Sequence, residues 1–318
     1  MNNTVRTISL AQINTADHTC RITTRTGSED LRPSIRRIGV INPPILIEKS
    51  DGFTVIAGFR RIDACGNLGW HSIPAKIMEP NTSELQCAQL AICDNALQRP
   101  LNLIEQSRSA ALLLRFLNDD ESLVKAASIV GLAINPSYLK KIAILCLLPQ
   151  AIQRGVSTER IPLAMALELG KLENSTANRF ADLFCNLKLG FNKQREILTL
   201  AQEIALREDI AVESLLAENA LAAILDTRDM DRNLKARYLR SYLKRRRFPT
   251  IAATEEAFAR CVKNMALGPG VSLKPPANFE GRRYTLTFSF QNRSELAEVE
   301  SVVAHIARNP EFGKILDS

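Results

Sequence analysis

Gly58-Phe59-Arg60-Arg61 lies between a strand-like run, Phe53 to Ala57, and a helix-like run, Ile62 to Leu68. Those residue types in that order can hold an anion. Glycine lets the backbone turn sharply and come close to a ligand. The helix start that follows offers free N–H groups and the positive end of a dipole. Two consecutive arginines add forked, permanently charged donors suited to phosphate oxygens. A strand–glycine–helix turn bearing arginines is also what a solvated surface looks like, so the reading depends on what accompanies it.

A second run with chemical potential is 228–247, where nine Lys/Arg face two Asp. Leu234, Tyr238 and Tyr242 recur every fourth residue, which predicts a helix with those three on its buried stripe. Arg240, Lys244, Arg245 and Arg246 then sit on its charged side, either as a solvated face or as contacts to nucleic acid. A third is the helix pair 121–130 and 136–147, joined by a turn over 131–135. Asn135 is a good N-cap and Pro136 suits a first helical position. The second helix offers Asn135, Ser137, Tyr138, Lys140 and Lys141 near its start, where bases or phosphates can be met.

The elements that must position these residues divide the chain into an α+β arrangement. Residues 1–82 read as a small mixed α/β domain. It has a helix over 31–38 ended by Gly39, a break at Pro43-Pro44, a strand over 45–48, a turn at Asp51-Gly52, a strand over 53–57, a helix over 60–68 and a strand over 73–78. Residues 83–226 read as all-helical, with helices at 83–95 and 103–117, the helix-turn-helix at about 121–148, and further helices near 158–171, 174–188, 192–207 and 212–224. Leu103, Ala110, Leu114 and Leu117 are the expected apolar side of the second. A basic helical segment covers 227–267. Gly268-Pro269-Gly270 and Pro275-Pro276 mark a linker into a ββα unit over 268–318, in which Val271–Leu273 pairs with Tyr284–Phe290 ahead of a helix over 294–307. So small a unit has little core of its own, and dimerisation is a natural remedy.

The net charge of +7 favours an anionic partner. The seven cysteines form no CxxC pair and the three histidines stand apart from them, which argues against zinc and thioredoxin-like chemistry. No apolar run approaches the roughly 18–20 residues that cross a bilayer, and the opening MNNTVRTISLAQI has no signal-peptide core. The expectation is a cytoplasmic protein without a membrane partner.

Three stretches occur in an order that resembles one family. They are Ser34-Ile35 with Gly39-Val40-Ile41-Asn42-Pro43-Pro44; Gly58-Phe59-Arg60-Arg61 with Ala64 and Gly69; and Asp94-Asn95, then Gln98-Arg99-Pro100-Leu101-Asn102 and Glu105. Together they resemble the N-terminal domain of the ParB family of partition proteins, which includes the Noc branch and whose fold is similar to sulfiredoxin. Ala127, Gly131, Leu139 and the run Leu147-Leu148-Pro149-Gln150-Ala151-Ile152 resemble the helix-turn-helix of that family, although the turn is about two residues longer than its common pattern. The resemblance spans residues 8–170.

What the resemblance implies is a dimeric, CTP-gated DNA clamp that is loaded at a specific double-stranded DNA site and often works with a ParA-like Walker ATPase in chromosome or plasmid partition. By that match Gly58, Phe59, Arg60 and Arg61 bind phosphate, with Phe59 in the place of the usual Glu. Asp94 and Asn95 match the pair near Mg2+ and the phosphates; Asp94 is a hard oxygen ligand suited to that ion. Arg99 corresponds to the arginine of the third motif with one extra residue of spacing, where a gapless alignment would place Gln98. Gly39, Asn42 and Pro43 fall in the segment on the base side. No residue is assigned a catalytic role, and at most slow CTP hydrolysis is implied. Two other readings stand beside this one. The first is a nucleotide-dependent enzyme on the same fold, kinase-like, nuclease-like or sulfiredoxin-like, for which Cys65 is the nearest thiol and buried packing its plainer role. The second is a transcriptional or mobile-element regulator with the same DNA-binding core.

Overall fold

The computed structural model describes residues 4–310, 312 and 313, apart from 133, 269, 277, 278 and 282. The chain forms two compact units, Met1–Phe191 and Asn192–Ser318. The boundaries expected at 82, 226 and 267 fall inside these units. Ala133 in the turn of the expected helix-turn-helix, Pro269 in the expected linker and residues 314–318 of the expected ββα unit lie outside the described residues.

The first unit opens with β1 (Thr4–Ser9) and β2 (Ile13–Asn14). An irregular strap, 15–31, leads to α1 (Arg32–Ile38), β3 (Ile45–Lys49), β4 (Gly52–Ala57), α2 (Phe59–Asn67) and β5 (Ser72–Met78). The strands form one sheet in the order β1-β5-β3-β4-β2. β3 and β4 are the expected antiparallel hairpin, β5 runs parallel to β3, and β1 closes the edge antiparallel to β5 from Thr4↔Ile77 to Ser9↔Ser72. Of β5, only Lys76–Met78 pair with β3. Pro74 therefore sits where β5 has a neighbour on one side, and its missing N–H leaves no gap in the ladder. Leu46, Val55, Ile73 and Ala75 are at most 1% exposed and form the centre of the sheet's core.

Helices follow. Ser83 and Gln86 form a reciprocal capping box at α3 (Glu84–Ala96), and Asn102 and Glu105 form another at α4 (Leu103–Leu114). Then come α5 (Asp120–Ile129), α6 (Pro136–Ala143) running into a 3-10 turn (Ile144–Leu147), α7 (Gln150–Ser157), α8 (Leu163–Leu169) and α9 (Asn174–Leu187). On α4 the buried apolar residues are Ile104, Ala110, Leu112 and Leu113, while Leu103, Leu114 and Leu117 are only partly buried. This departs from the expected stripe because α3, α5, α6 and α7 all pack on α4. A helix enclosed on several sides has no single apolar face.

The second unit contains α10 (Phe191–Glu208), α11 (Val212–Leu216), α12 (Asn219–Asp226), α13 (Arg232–Arg247) and α14 (Pro249–Asn264). On α13 the buried residues are Ala236, Leu239 and Leu243; Tyr238 is exposed and Tyr242 partly so. The tyrosines do not line the buried stripe as expected. Alternation by three and four keeps Ala236, Leu239 and Leu243 on one face, whereas a strict repeat of four drifts off it. After α14, β6 (Val271–Lys274) and β7 (Thr285–Phe288) pair antiparallel, Val271↔Phe288 to Lys274↔Thr285, and α15 (Arg293–Arg308) follows. The hairpin's small core is Met265 and Leu273, with Phe258, Val262, Tyr284 and Leu286 packed around them. Phe290, Leu296 and Val303 remain exposed. No helix among the described residues is long and apolar enough to cross a membrane.

Candidate functional site

Gly58 links β4 to α2 with φ +95°. A Cβ there would lie 2.8 Å from Pro44 Cβ and 2.9 Å from Pro44 Cα, so both conformation and space require glycine. No side chain caps α2, which leaves its first N–H groups open to an anion.

Both arginines are already engaged by oxygens of the chain. Arg60 donates from Nε to the Gly27 carbonyl at 2.9 Å and pairs with Asp30, both on the strap. That guanidinium holds the Asp30 carboxyl below the usual carboxylate range. Arg61 donates from Nη1 to the Asn42 carbonyl at 2.6 Å and the Pro43 carbonyl at 3.4 Å, and from Nη2 to Asp94 Oδ2 at 2.8 Å. It thereby ties α2 to the segment after α1 and to the last turn of α3. The Gln98 amide donates to the other Asp94 oxygen at 3.4 Å, and Asn95 donates back to the Ala91 carbonyl at 2.9 Å.

Arg99 forks onto Glu105 with two 2.7 Å hydrogen bonds. Glu105 is fully buried and also accepts from the Thr24 N–H at 2.9 Å, the Thr24 hydroxyl at 3.2 Å and the Asn102 N–H at 3.1 Å. Burial alone would push its carboxyl up. The Arg99 guanidinium and the Thr24 and Asn102 N–H groups outweigh burial and hold it at about 2. One carboxylate thus fastens the strap, the α3–α4 connection and the start of α4 to one another.

These groups enclose a cavity of about 370 Å³ lined by Ile22, Thr23, Arg25, Leu31, Asn42, Gly58, Phe59, Arg60, Arg61, Asp94, Asn95, Gln98 and Arg99, together with Cys20 and Ala57. Four arginines meet one carboxylate there. Of the sequence candidates, Asn42, Gly58, Phe59, Arg60, Arg61, Asp94, Asn95 and Arg99 converge on the cavity. Gln98 lines it as well as Arg99, so the two alignments reach the same place. Pro43 contributes its carbonyl to Arg61. Gly39 ends α1 at φ +87° and is not among the lining residues. Phe59 is buried; its ring meets the His18 ring edge-on at a centroid distance of 6.1 Å, with the Arg21 guanidinium 5.6 Å from its centre. Sequence reasoning missed Thr23, Arg25 and Asp30, which carry no local pattern and arrive by long-range packing of the strap.

The oxygens that would serve a Mg2+ ion here are the Asp94 carboxylate and the Asn95 amide oxygen. Among the described residues no group of three or more His, Cys, Asp or Glu gathers to hold a metal. One carboxylate suffices for Mg2+ when phosphate oxygens and water complete the octahedron, so this donor set fits an ion that arrives with a triphosphate. Cys65 has no exposure and burial pushes its thiol up; burial and nearby Cys87 raise Cys20 to about 11. Neither thiol is set up as a nucleophile.

The residues proposed for DNA contact separate into two groups. At the start of α6, Asn135 accepts from the Tyr138 N–H at 2.9 Å and so acts as the cap, Lys140 pairs with Asp120 of α5 at 2.7 Å, and Ser137 and Lys141 are exposed. On α13 every candidate meets a carboxylate: Arg240 and Lys244 meet Glu196, Arg245 meets Glu256, and Arg246 meets Glu208 and Glu218. Arg246 and Arg207 together hold the Glu208 carboxyl at about 2. Contact with DNA through α13 would require these pairs to exchange partners.

Residues 1–96 match the ParB N-terminal domain family. A nucleoid occlusion protein of Shouchella clausii is 29% identical over 182 residues, 55% of this chain and 62% of that protein. A probable plasmid-partitioning protein ParB of Xylella fastidiosa is 39% identical over 80 residues, 25% of this chain and 20% of its own. The chain spans less than two thirds of the length of the curated relatives it matches. A crystal structure of the C-terminally truncated chromosome-partitioning protein ParB from Caulobacter crescentus complexed with CTP-gamma-S is 22% identical, covering 57% of this chain and 99% of that one, with a TM-score of 0.27.

Proposed function

We propose, from the premise that this chain is a ParB/Noc-like protein whose residues 1–96 form a ParB N-terminal domain, that it is a nucleotide-gated DNA-binding protein of partition type. The observation that carries the reading is the convergence of Gly58–Arg61, Asp94-Asn95 and Arg99 on one cavity, from three stretches that are separate in sequence. The open start of α2 and the arginine forks suit a triphosphate. Asp94, released from Arg61, together with Asn95 would hold Mg2+, which when bound neutralises and orients the phosphates. CTP is the ligand that the family resemblance implies, with the base toward the Asn42–Pro43 side. Double-stranded DNA is met by Ser137, Tyr138, Lys140 and Lys141 at the start of α6. Exposed Phe290, Leu296 and Val303 suit a homodimer contact at the C-terminal hairpin and helix. A ParA-like Walker ATPase is the partner this reading brings, and the nucleoid its place of action. A nucleotide gates such a protein only by binding its states unequally; a triphosphate favours the state in which residues 94–105 close on the arginines. A thiol-based enzyme on this fold is supported less, given the burial of Cys65.

The test is calorimetry of CTP, UTP, ATP and GTP with Mg2+, with and without DNA. Binding of CTP above the others supports the reading; preference for ATP would favour a kinase-like protein instead. Asp30 provides a second check. Its carboxylate occupies the arginine that phosphate must reach, so Asp30→Asn is expected to tighten nucleotide binding severalfold. An unchanged or weaker affinity in that variant would mean that Arg60 does not pass from Asp30 to phosphate.

A further inference from the structure

Behind the strap lies another cavity, about 710 Å³, between residues 18–26, α4 and the start of α7. Its charged lining is Arg21, Arg108 and Arg115, with His18 and no carboxylate. Its polar lining includes the Gln150 amide and the hydroxyls of Thr23 and Thr26.

Two of the three arginines, Arg108 and Arg115, make no ion pair among the described residues, and Arg21 has one long pair with Asp63. Arg108 is partly buried and donates from Nη1 to the Thr23 carbonyl at 2.7 Å and the Ile22 carbonyl at 3.4 Å. Burial pulls its proton affinity down, and Arg21 adds to that pull while Glu105 opposes it. Arg21 approaches Asp63 only at 3.8 Å and His18 at 3.4 Å. Arg115 lies beside the Phe116 ring and helps to lower the nearby Asp17 carboxyl. Three like charges lining one cavity repel one another, and the cost falls mainly on the partly buried Arg108, since Arg115 is exposed. A dianion bound among them would remove that cost and gain forked hydrogen bonds. The volume lies within the range of small-molecule sites, roughly 300–1,000 Å³.

We propose that this cavity is a second anion site, which takes a phosphate-bearing ligand through Arg21, Arg108 and Arg115. It is separate from the GFRR cavity, although Ile22 and Thr23 of the strap line both. The phosphate can come from a small free molecule or from a DNA backbone, and one experiment separates the two sources.

Pyrophosphate is titrated calorimetrically into the full chain. Two binding events per chain are expected, and Arg61→Ala should leave one. Adding Arg115→Glu in that background should weaken the remaining event at least tenfold, and Gln150→Glu should weaken it as well, with the thermal midpoint unchanged. Loss of all binding in Arg61→Ala alone, or a residual event indifferent to both added variants, overturns the proposal and leaves the nucleotide reading untouched. A mixed-sequence duplex that displaces pyrophosphate from the Arg61→Ala chain identifies a phosphodiester as the ligand; pyrophosphate that stays bound identifies a small phosphate.

Discussion

Arg61→Ala is expected to weaken binding of a nucleoside triphosphate about a hundredfold or more. Arg61 is held by two backbone carbonyls through Nη1, while Nη2 rests on Asp94. On the proposed reading Nη2 would turn to phosphate, Asp94 would be freed to hold Mg2+, and the two carbonyls would keep the guanidinium aimed. Each hydrogen bond to a charged group contributes roughly 1.5–3 kcal/mol, and about 1.4 kcal/mol is tenfold in affinity. Nη2 carries two N–H donors, and loss of their two bonds to phosphate accounts for the size of the effect. Arg61→Lys keeps the charge but not the fork, so it should fall between the two. Calorimetry with Mg2+ decides it. Binding in Arg61→Ala within a few-fold of the unaltered chain would remove GFRR from the phosphate site.

The largest effect on stability is expected at Glu105. Glu105→Gln replaces an acceptor-only carboxylate by an amide that must turn a donor toward Arg99 or toward the Asn102 N–H. Breaking a buried, hydrogen-bonded charge pair costs roughly 3–5 kcal/mol, which is a large share of a domain's stability. The pH dependence supplies the signature. The carboxyl is held at about 2 against an ordinary value of 4.5. A group with a depressed folded value stabilises fully above its unfolded value and loses that contribution as pH falls from about 4.5 toward about 2. The shift corresponds to a contribution on the order of 3 kcal/mol at neutral pH. Urea unfolding at pH 7 and pH 3 should show the gap between the unaltered chain and Glu105→Gln narrowing in acid. An equal gap at both values would show that the Glu105 charge is not what fastens the strap.

What was legible in the sequence was local. Gly58 before a helix, the Asp51-Gly52 turn, Asn135 as a cap and Pro136 as a first helical residue each act through their neighbours, and the corresponding elements lie where those residues direct. The cavity was legible in its motif residues because a phosphate pocket draws on particular side chains at particular spacings. Asp30 and the contact of Thr24 with Glu105 were not legible, since their partners are 30 and 81 residues away and nothing local marks them. Helix α7 was also missed. It begins after Pro149 with no side-chain cap, and Ala151, Ile152 and Val156 make too short a stripe to declare it. On α13 the tyrosines misled because an aromatic ring with a hydroxyl serves equally well at a half-exposed position. Its arginines read as free charge because the glutamates that pair with them come from other helices.

The contact between Arg60 and Asp30 has a kinetic consequence. On the proposed reading, a phosphate that takes the Arg60 donors now given to Asp30 and Gly27 has to wait until those contacts open. Ligand capture then includes a unimolecular step, and the observed rate should climb with ligand concentration only to a plateau set by that step. Where the Asp30 charge is removed, the plateau should rise or vanish, and capture should approach the limit of encounter.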